Sequence, residues 1–178
     1  MTSDEELMTS AARGDTGAFE HIVCRYQASV WRVAYRFVGN PADAQDITQI
    51  VFLKLFEAAP RYRPSALLKT YLFRIVHTTC IDHSRKNRPS TLDDPSEVPD
   101  DSPSAIDAMI MKENEKGMQQ AIKTLPPRQR SAISLRYETE LSVRDIADIF
   151  KVTEKAVERL LAHARDTLFT ILKNNRAH

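Results

Sequence analysis

Apolar residues recur along most of this chain at intervals of three and four, the period of helices with one face turned inward. From Asp15 to Val38 they are Phe19, Ile22, Val23, Tyr26, Val30, Val33, Ala34 and Phe37, which predicts a long helix stopped by Gly39. Ser3 and Glu6 form a capping-box pair for a short helix before it, ending near Gly14. Asn40-Pro41 restarts the chain, with Asn at the cap and Pro at the first helical position, where its missing N–H costs nothing. That helix runs to about Ala58, and Pro60–Pro64 forms a loop before a further helix from about Ala66 to Lys86. Beyond residue 104 the pattern resumes in a helix from Ala105 to Lys123, a stop at Leu125-Pro126-Pro127 and a helix from Arg128 to Tyr137. No alternating strand pattern competes with these, so the fold class is all-α.

The segment from Ser142 to Arg165 has the layout of a helix-turn-helix, a motif whose chemistry is the reading of DNA. Ser142 and Asp145 box-cap its first helix, and Thr153 caps its second. Val157, Leu160, Leu161, Ala164, Leu168 and Ile171 form the buried stripe of the second helix, while Lys155, Glu158, Arg159, Ala162 and His163 face outward. The break between the helices is short, Phe150-Lys151-Val152, and such turns often use Gly for left-handed backbone. Lys151 there is expected to bear about 1 kcal/mol of strain. A helical hairpin with a merely solvated polar face has the same pattern, so the motif alone leaves both readings open.

Charge divides the chain more sharply than its net of +1 suggests. Residues 1–87 carry 11 basic and 9 acidic side chains, residues 88–113 carry 2 and 7, and residues 114–178 carry 12 and 8. Within the acidic middle, residues 88–104 hold four prolines and five acids with almost nothing to bury. This predicts a flexible acidic linker between two small helical domains, residues 1–87 and 105–178. Basic ends suit a polyanionic partner. No apolar run is long enough to cross a membrane and the first residues lack a signal-peptide pattern, so the expected location is cytoplasmic with no membrane insertion.

Two further surfaces stand out. The helix at 41–58 carries Ile47, Val51 and Leu55 on one stripe, but Ile50, Phe52, Leu53 and Phe56 extend its apolar arc well beyond that. Either it is buried on several sides or it presents a docking face rimmed by Asp43, Asp46 and Gln49. The loop and helix that follow mix aromatics and cations: Arg61, Tyr62, Arg63, Lys69, Tyr71, Arg74, His77, Arg85 and Lys86. Unstacked bases pack on aromatics while cations hold phosphates, and a solvated basic helix has the same composition. By spacing, Arg74, His77 and Arg85 share an outward face. Residues three apart on a helix can share a metal, but His77 and His83 of the His77, Cys80, His83 series diverge around it, and His21 with Cys24 lies elsewhere, so packed thiols and surface histidines are expected. No nucleophile–base pair, phosphate-binding Gly loop or cofactor motif is present, so the chain reads as a non-enzyme without cofactor.

Three stretches, DAQDITQIVFLKLF (43–56), YLFRIVHTTCIDHSRK (71–86) and LPPRQR (125–130), precede the helix-turn-helix in an order and spacing that resemble bacterial sigma factors. Two modules with nothing between them but a linker resemble the short extracytoplasmic-function group. That resemblance implies a sigma-2-like bundle and a sigma-4-like helix-turn-helix domain on a promoter-specificity subunit of RNA polymerase. It implies docking of Asp43, Asp46, Gln49 and Phe52 on the clamp helices of the polymerase largest subunit, with the flap region as a second contact. The melted −10 strand would lie on Arg61, Tyr62, Arg63, Lys69, Tyr71, Arg74, His77, Thr78, Arg85 and Lys86, with a base held in the loop 61–66. The −35 duplex would meet Thr153, Lys155, Glu158, Arg159, Ala162, His163 and Arg165. The linker would thread the polymerase's nucleic-acid channel, and an anti-sigma protein is an implied partner. Tyr71 and Thr78 stand where the family commonly has Trp and Asn, and Thr78 has a shorter hydrogen-bonding reach. Glu158, Leu160 and His163 replace frequent basic residues, and Glu158 could accept from cytosine N4. The residues themselves also admit a stand-alone helix-turn-helix repressor or activator, or a helical adaptor.

Overall fold

The computed structural model describes residues 2–63, 67–87 and 106–175, with side chains described from 115 to 174 in the last stretch. Eight α-helices follow in order among the described residues: α1 (Asp4–Ala12), α2 (Thr16–Val38), α3 (Pro41–Ala58), α4 (Leu68–Lys86), α5 (Ile106–Thr124), α6 (Pro127–Glu138), α7 (Val143–Phe150) and α8 (Glu154–Asn175). A single 3-10 turn at Ala59–Arg61 follows α3. The acidic segment 88–104 and the end of the loop at 64–66 lie outside the described residues.

Local chemistry sets most boundaries. The Ser3 hydroxyl accepts from Glu6 N–H at 3.2 Å while the Glu6 carboxylate accepts from Ser3 N–H at 2.8 Å, which closes the capping box on α1. Asn40 Oδ1 accepts from Ala42 N–H at 2.8 Å and satisfies an orphan donor of α3. Gly39 ends α2 at φ 68°, a conformation that suits glycine. Lys123 and Gln119 of α5 crowd the space where a Cβ at Gly39 would stand, so the position has no room for a side chain either.

The first four helices bury Met8, Ile22, Val33, Phe37, Ile47, Val51, Leu55, Leu72, Phe73 and Val76 against one another. The last four close around Leu125, Leu135, Ile146, Val157, Leu161 and Ala164. The two sets are not separate bodies. α6 packs on α2 and α4, α7 packs on α4, and α5 reaches α2, so one apolar cluster runs through both. The sequence predicts two bodies joined only by a linker, and the long-range seam between them is a finding of the structure.

Polar side chains stitch that seam. The last carbonyls of α2 carry the negative end of its dipole, and of them Tyr35 O already accepts from Gly39 N–H at 2.7 Å. Gln119 Nε2 donates to Arg36 O at 2.9 Å and Tyr35 O at 3.3 Å. Arg130 donates to Phe37 O at 3.4 Å and lays its guanidinium 5.0 Å from the Phe37 ring centroid. Arg36 pairs with Glu138 at 2.6 Å, and Arg32 stands 3.9 Å from the same carboxylate.

Candidate nucleic-acid interface

The helix-turn-helix forms as its caps dictate. Ser142 Oγ accepts from Asp145 N–H at 3.1 Å and the Asp145 carboxylate accepts from Ser142 N–H at 2.8 Å. Lys151 adopts φ 55° and ψ 48°, the left-handed geometry expected of the turn, and is the only non-glycine residue with positive φ among those described. Its strain is offset locally, because Val152 N–H closes the turn on Ala147 O at 3.1 Å. Phe150 belongs to α7 and is buried rather than part of a surface break. Thr153 Oγ1 accepts from Ala156 N–H at 3.2 Å and starts α8. Val157, Leu161, Ala164 and Leu168 are buried; Thr153, Lys155, Glu158, Arg159, Ala162, His163 and Arg165 are all exposed on the other side. One helix thus anchors to the core and offers a polar face with three cations and one carboxylate.

On α3 the apolar arc is divided between buried and exposed positions. Ile47, Val51 and Leu55 are buried, whereas Ile50, Leu53 and Phe56 are 43%, 62% and 47% exposed. Leu53 and Phe56 help line a groove of about 370 Å³ between α2 and α3, together with Phe19, Val23, Gln49 and Phe52. Phe19 and Phe56 meet edge to face at 5.0 Å and fix its wall. Asp46 is exposed, Gln49 is exposed at the groove, Phe52 is buried against it, and Asp43 stands 3.8 Å from His83. A contiguous exposed apolar patch beside a groove marks an interaction site.

The aromatic-basic surface is split. Arg61 and Arg63 are exposed, Tyr62 and Tyr71 pack edge to face at 5.5 Å, Lys69 is half-buried, and Arg85 and Lys86 are exposed at the last turn of α4. Thr78 is exposed, but its hydroxyl already donates to Arg74 O and Ile75 O, both at 3.1 Å. Arg74 and His77 do not share the outward face with Arg85 that helical spacing predicts. The His77 ring stacks on Phe150 at 4.1 Å, with Nδ1 2.7 Å from Ser131 Oγ. Arg74 donates to Asp148 O at 3.2 Å. α6 and α7 cover both in part. Burial, with the Arg128 charge adding to it, pulls the His77 imidazole down to about 4.

Cys80 is buried beneath the same seam, and burial pushes its thiol up to about 12, against the opposing influence of Arg130. It is a packed thiol with little thiolate character, while Cys24 is exposed. No three His, Cys, Asp or Glu side chains among the described residues are grouped to hold a metal ion. Sequence reasoning missed Gln119, Arg130, Ser131, Glu138 and Phe150 as seam residues. Arg130 lies within the LPPRQR stretch, where it also donates to Lys123 O at 2.6 Å and Leu125 O at 3.0 Å.

An exposed helix-turn-helix face, a basic aromatic helix and a separate exposed apolar face define a two-module, all-helical DNA-binding protein. The family model for Sigma-70 region 2 matches residues 22–89, and that for Sigma-70, region 4 matches residues 116–168. The chain belongs to the sigma-70 family of RNA polymerase sigma factors, in its extracytoplasmic-function group. It is 31% identical over 176 residues to the RNA polymerase sigma-H factor of Pseudomonas aeruginosa, covering 93% of this chain and 91% of that protein. With the ECF RNA polymerase sigma factor SigW of Bacillus subtilis it shares 29% over 167 residues, covering 88% and 89%. The fold is similar to CnrH solved with the cytosolic domain of CnrY, at TM-score 0.74 and 22% identity over 97% of this chain and 99% of that one. It is also similar to RpoE solved with the anti-sigma factor NepR from Bartonella quintana, at TM-score 0.68 and 19% identity over 87% and 96%. The family assignment does not favour a stand-alone repressor or activator.

Proposed function

We propose that this sigma factor brings core RNA polymerase to its promoters by docking through α3 and engaging promoter DNA through α4 and α8. Residues 1–87 form the polymerase-docking and −10 module, residues 105–178 form the −35 module, and 88–104 is the connecting strap. Asp43, Asp46, Gln49 and Phe52 work with exposed Ile50, Leu53 and Phe56 as the docking surface for the clamp helices. The exposed face of α8 reads the −35 duplex in the major groove, where side chains can distinguish base pairs. The aromatic-basic side of α4 holds the separated −10 strand by stacking and phosphate contacts. The protein works in the cytoplasm with the polymerase, which supplies the chemistry, and an anti-sigma protein restrains it.

One observation carries this reading. Three large apolar side chains stand exposed on α3, two of them (Leu53 and Phe56) at a groove, on the same chain as an unobstructed reading helix. A subunit of a larger machine uses such a face to dock on its partner. Binding of fluorescently labelled chain to purified core polymerase tests it with two variants. Leu53→Asp should weaken binding at least tenfold, because burying a leucine contributes about 1.5–3 kcal/mol. Arg74→Glu should leave docking within twofold and abolish promoter opening. Loss of docking with Arg74→Glu, or full docking with Leu53→Asp, contradicts the division of labour.

A further inference from the structure

We propose that the cleft between α2, α4 and the end of α6 is a binding site for a nucleoside diphosphate, a ligand separate from promoter DNA. The cleft holds about 570 Å³, within the size range of small-molecule sites. Its two walls differ in chemistry. The first module supplies Arg25 and Arg32 from α2 and Lys69 from α4, all cations, over the buried ring of Phe73. Arg25, Ser29 and Arg32 recur at helical spacing and so line the cleft from one side of α2. The second module supplies Tyr137, Glu138 and Glu140, at the end of α6 and just beyond it. Cations on one wall and an aromatic with a carboxylate on the other suit a ligand that is itself divided, with phosphates at one end and a base at the other.

The groups that would hold such a ligand are not all spent on the fold. Lys69 is half-buried at the cleft and has no hydrogen bond or ion pair with any described residue. Arg25 is held by Asp4, and Arg32 donates to Ser29 Oγ at 3.1 Å. A guanidinium carries several N–H donors, so both keep some for a phosphate, and such charge-assisted bonds are the strong ones. Of the two carboxylates, Glu138 is engaged by Arg36 at 2.6 Å. Glu140 is left exposed at the cleft, where it can accept from a ribose hydroxyl or an exocyclic amine but would repel a bare phosphate. Tyr137 stands 63% exposed, with no ring packed on it among the described residues. An open aromatic face of this kind stacks on any base, whatever its hydrogen-bonding edge. A ligand touching both walls binds only where both stand together, and it stabilises that arrangement by mass action.

Calorimetric titration of the full chain with ADP, GDP, adenosine and sodium pyrophosphate tests the site. ADP and GDP should bind at least tenfold more tightly than pyrophosphate or adenosine, because stacking and phosphate contacts act together. Tyr137→Ala should weaken ADP binding at least fivefold and leave pyrophosphate within twofold. Lys69→Gln should weaken both at least fivefold. Far-UV circular dichroism and the thermal midpoint without ligand establish that each variant is folded. Saturating ADP should raise the midpoint of the wild type and leave that of the Tyr137→Ala/Lys69→Gln double variant unchanged. No binding of ADP or GDP at millimolar concentration, equal affinity for ADP and pyrophosphate, or ADP affinity unchanged in both single variants overturns the proposal. Lys69 also belongs to the proposed −10 surface, so Tyr137 separates the two roles. If Tyr137→Ala weakens a mixed-sequence single-stranded oligodeoxynucleotide while ADP does not bind, the cleft is part of the strand path and the nucleotide site falls.

Discussion

Lowering the pH should loosen the seam through His77. In the closed form the imidazole is enclosed by Phe150 from α7 and by Ser131 and Arg128 from α6, and is held neutral down to about pH 4. In an open form it is exposed to water and titrates near its ordinary 6.5. The open form binds the proton more readily, so protons favour opening. Above pH 6.5 both forms are neutral and the seam is unaffected. Closure then weakens as the pH falls from 6.5 and levels off below about 4. At pH 5.5 the closed-to-open ratio should be about tenfold lower than at pH 7.5, or about 1.4 kcal/mol. Energy transfer between a dye on exposed Cys24 and one on an Asp166→Cys substitution in α8, measured across that range, reads the ratio directly. His77→Gln keeps a planar polar side chain but cannot titrate there, and should flatten the response. A wild-type signal independent of pH, or an equal slope in His77→Gln, refutes the reasoning. The Asp43–His83 pair lies within the first four helices, so it does not report on the seam.

Further expectations follow from single positions. Lys151→Gly should raise the free energy of unfolding by about 1 kcal/mol in denaturant titrations, because an exposed side chain held in left-handed backbone is relieved of strain; no change would mean that the turn does not hold this geometry in solution. Glu158→Gln should shift the −35 sequences selected from a randomised promoter library, since the carboxylate accepts from cytosine and repels phosphate; identical selections would remove Glu158 from the reading face. Ser142→Ala should cost about 1 kcal/mol in the same unfolding assay by removing the cap on α7; an unchanged midpoint would show that the cap contributes nothing.

What the sequence makes legible is local. Ser3 with Glu6, Asn40 with Pro41, Gly39, Ser142 with Asp145 and Thr153 each act within four residues, so their roles can be read from neighbours alone, and the structure has each of them as expected. The two faces of α8 follow from helical period for the same reason. The excess apolar arc of α3 is visible in sequence, but only the exposure of Leu53 and Phe56 decides that it is a surface. His77 and Arg74 lie opposite the core of their own module, and helical spacing cannot say that a second module covers them. The contacts that do so join residues far apart in the chain, up to 102 positions between Arg36 and Glu138. No local signal announces such a pair. Phe150 was hidden similarly: as a residue of a turn it reads as surface, and its burial depends on His77 stacking from the other module.

The central claim is that these eight helices equip core polymerase to find and open promoters it otherwise ignores. The decisive measurement is transcription from a library of upstream sequences by purified core, with and without the full chain. The account predicts a discrete set of initiated templates sharing two spaced elements, appearing only when the chain is present. Initiation no better than core alone, or no association with core, would contradict it.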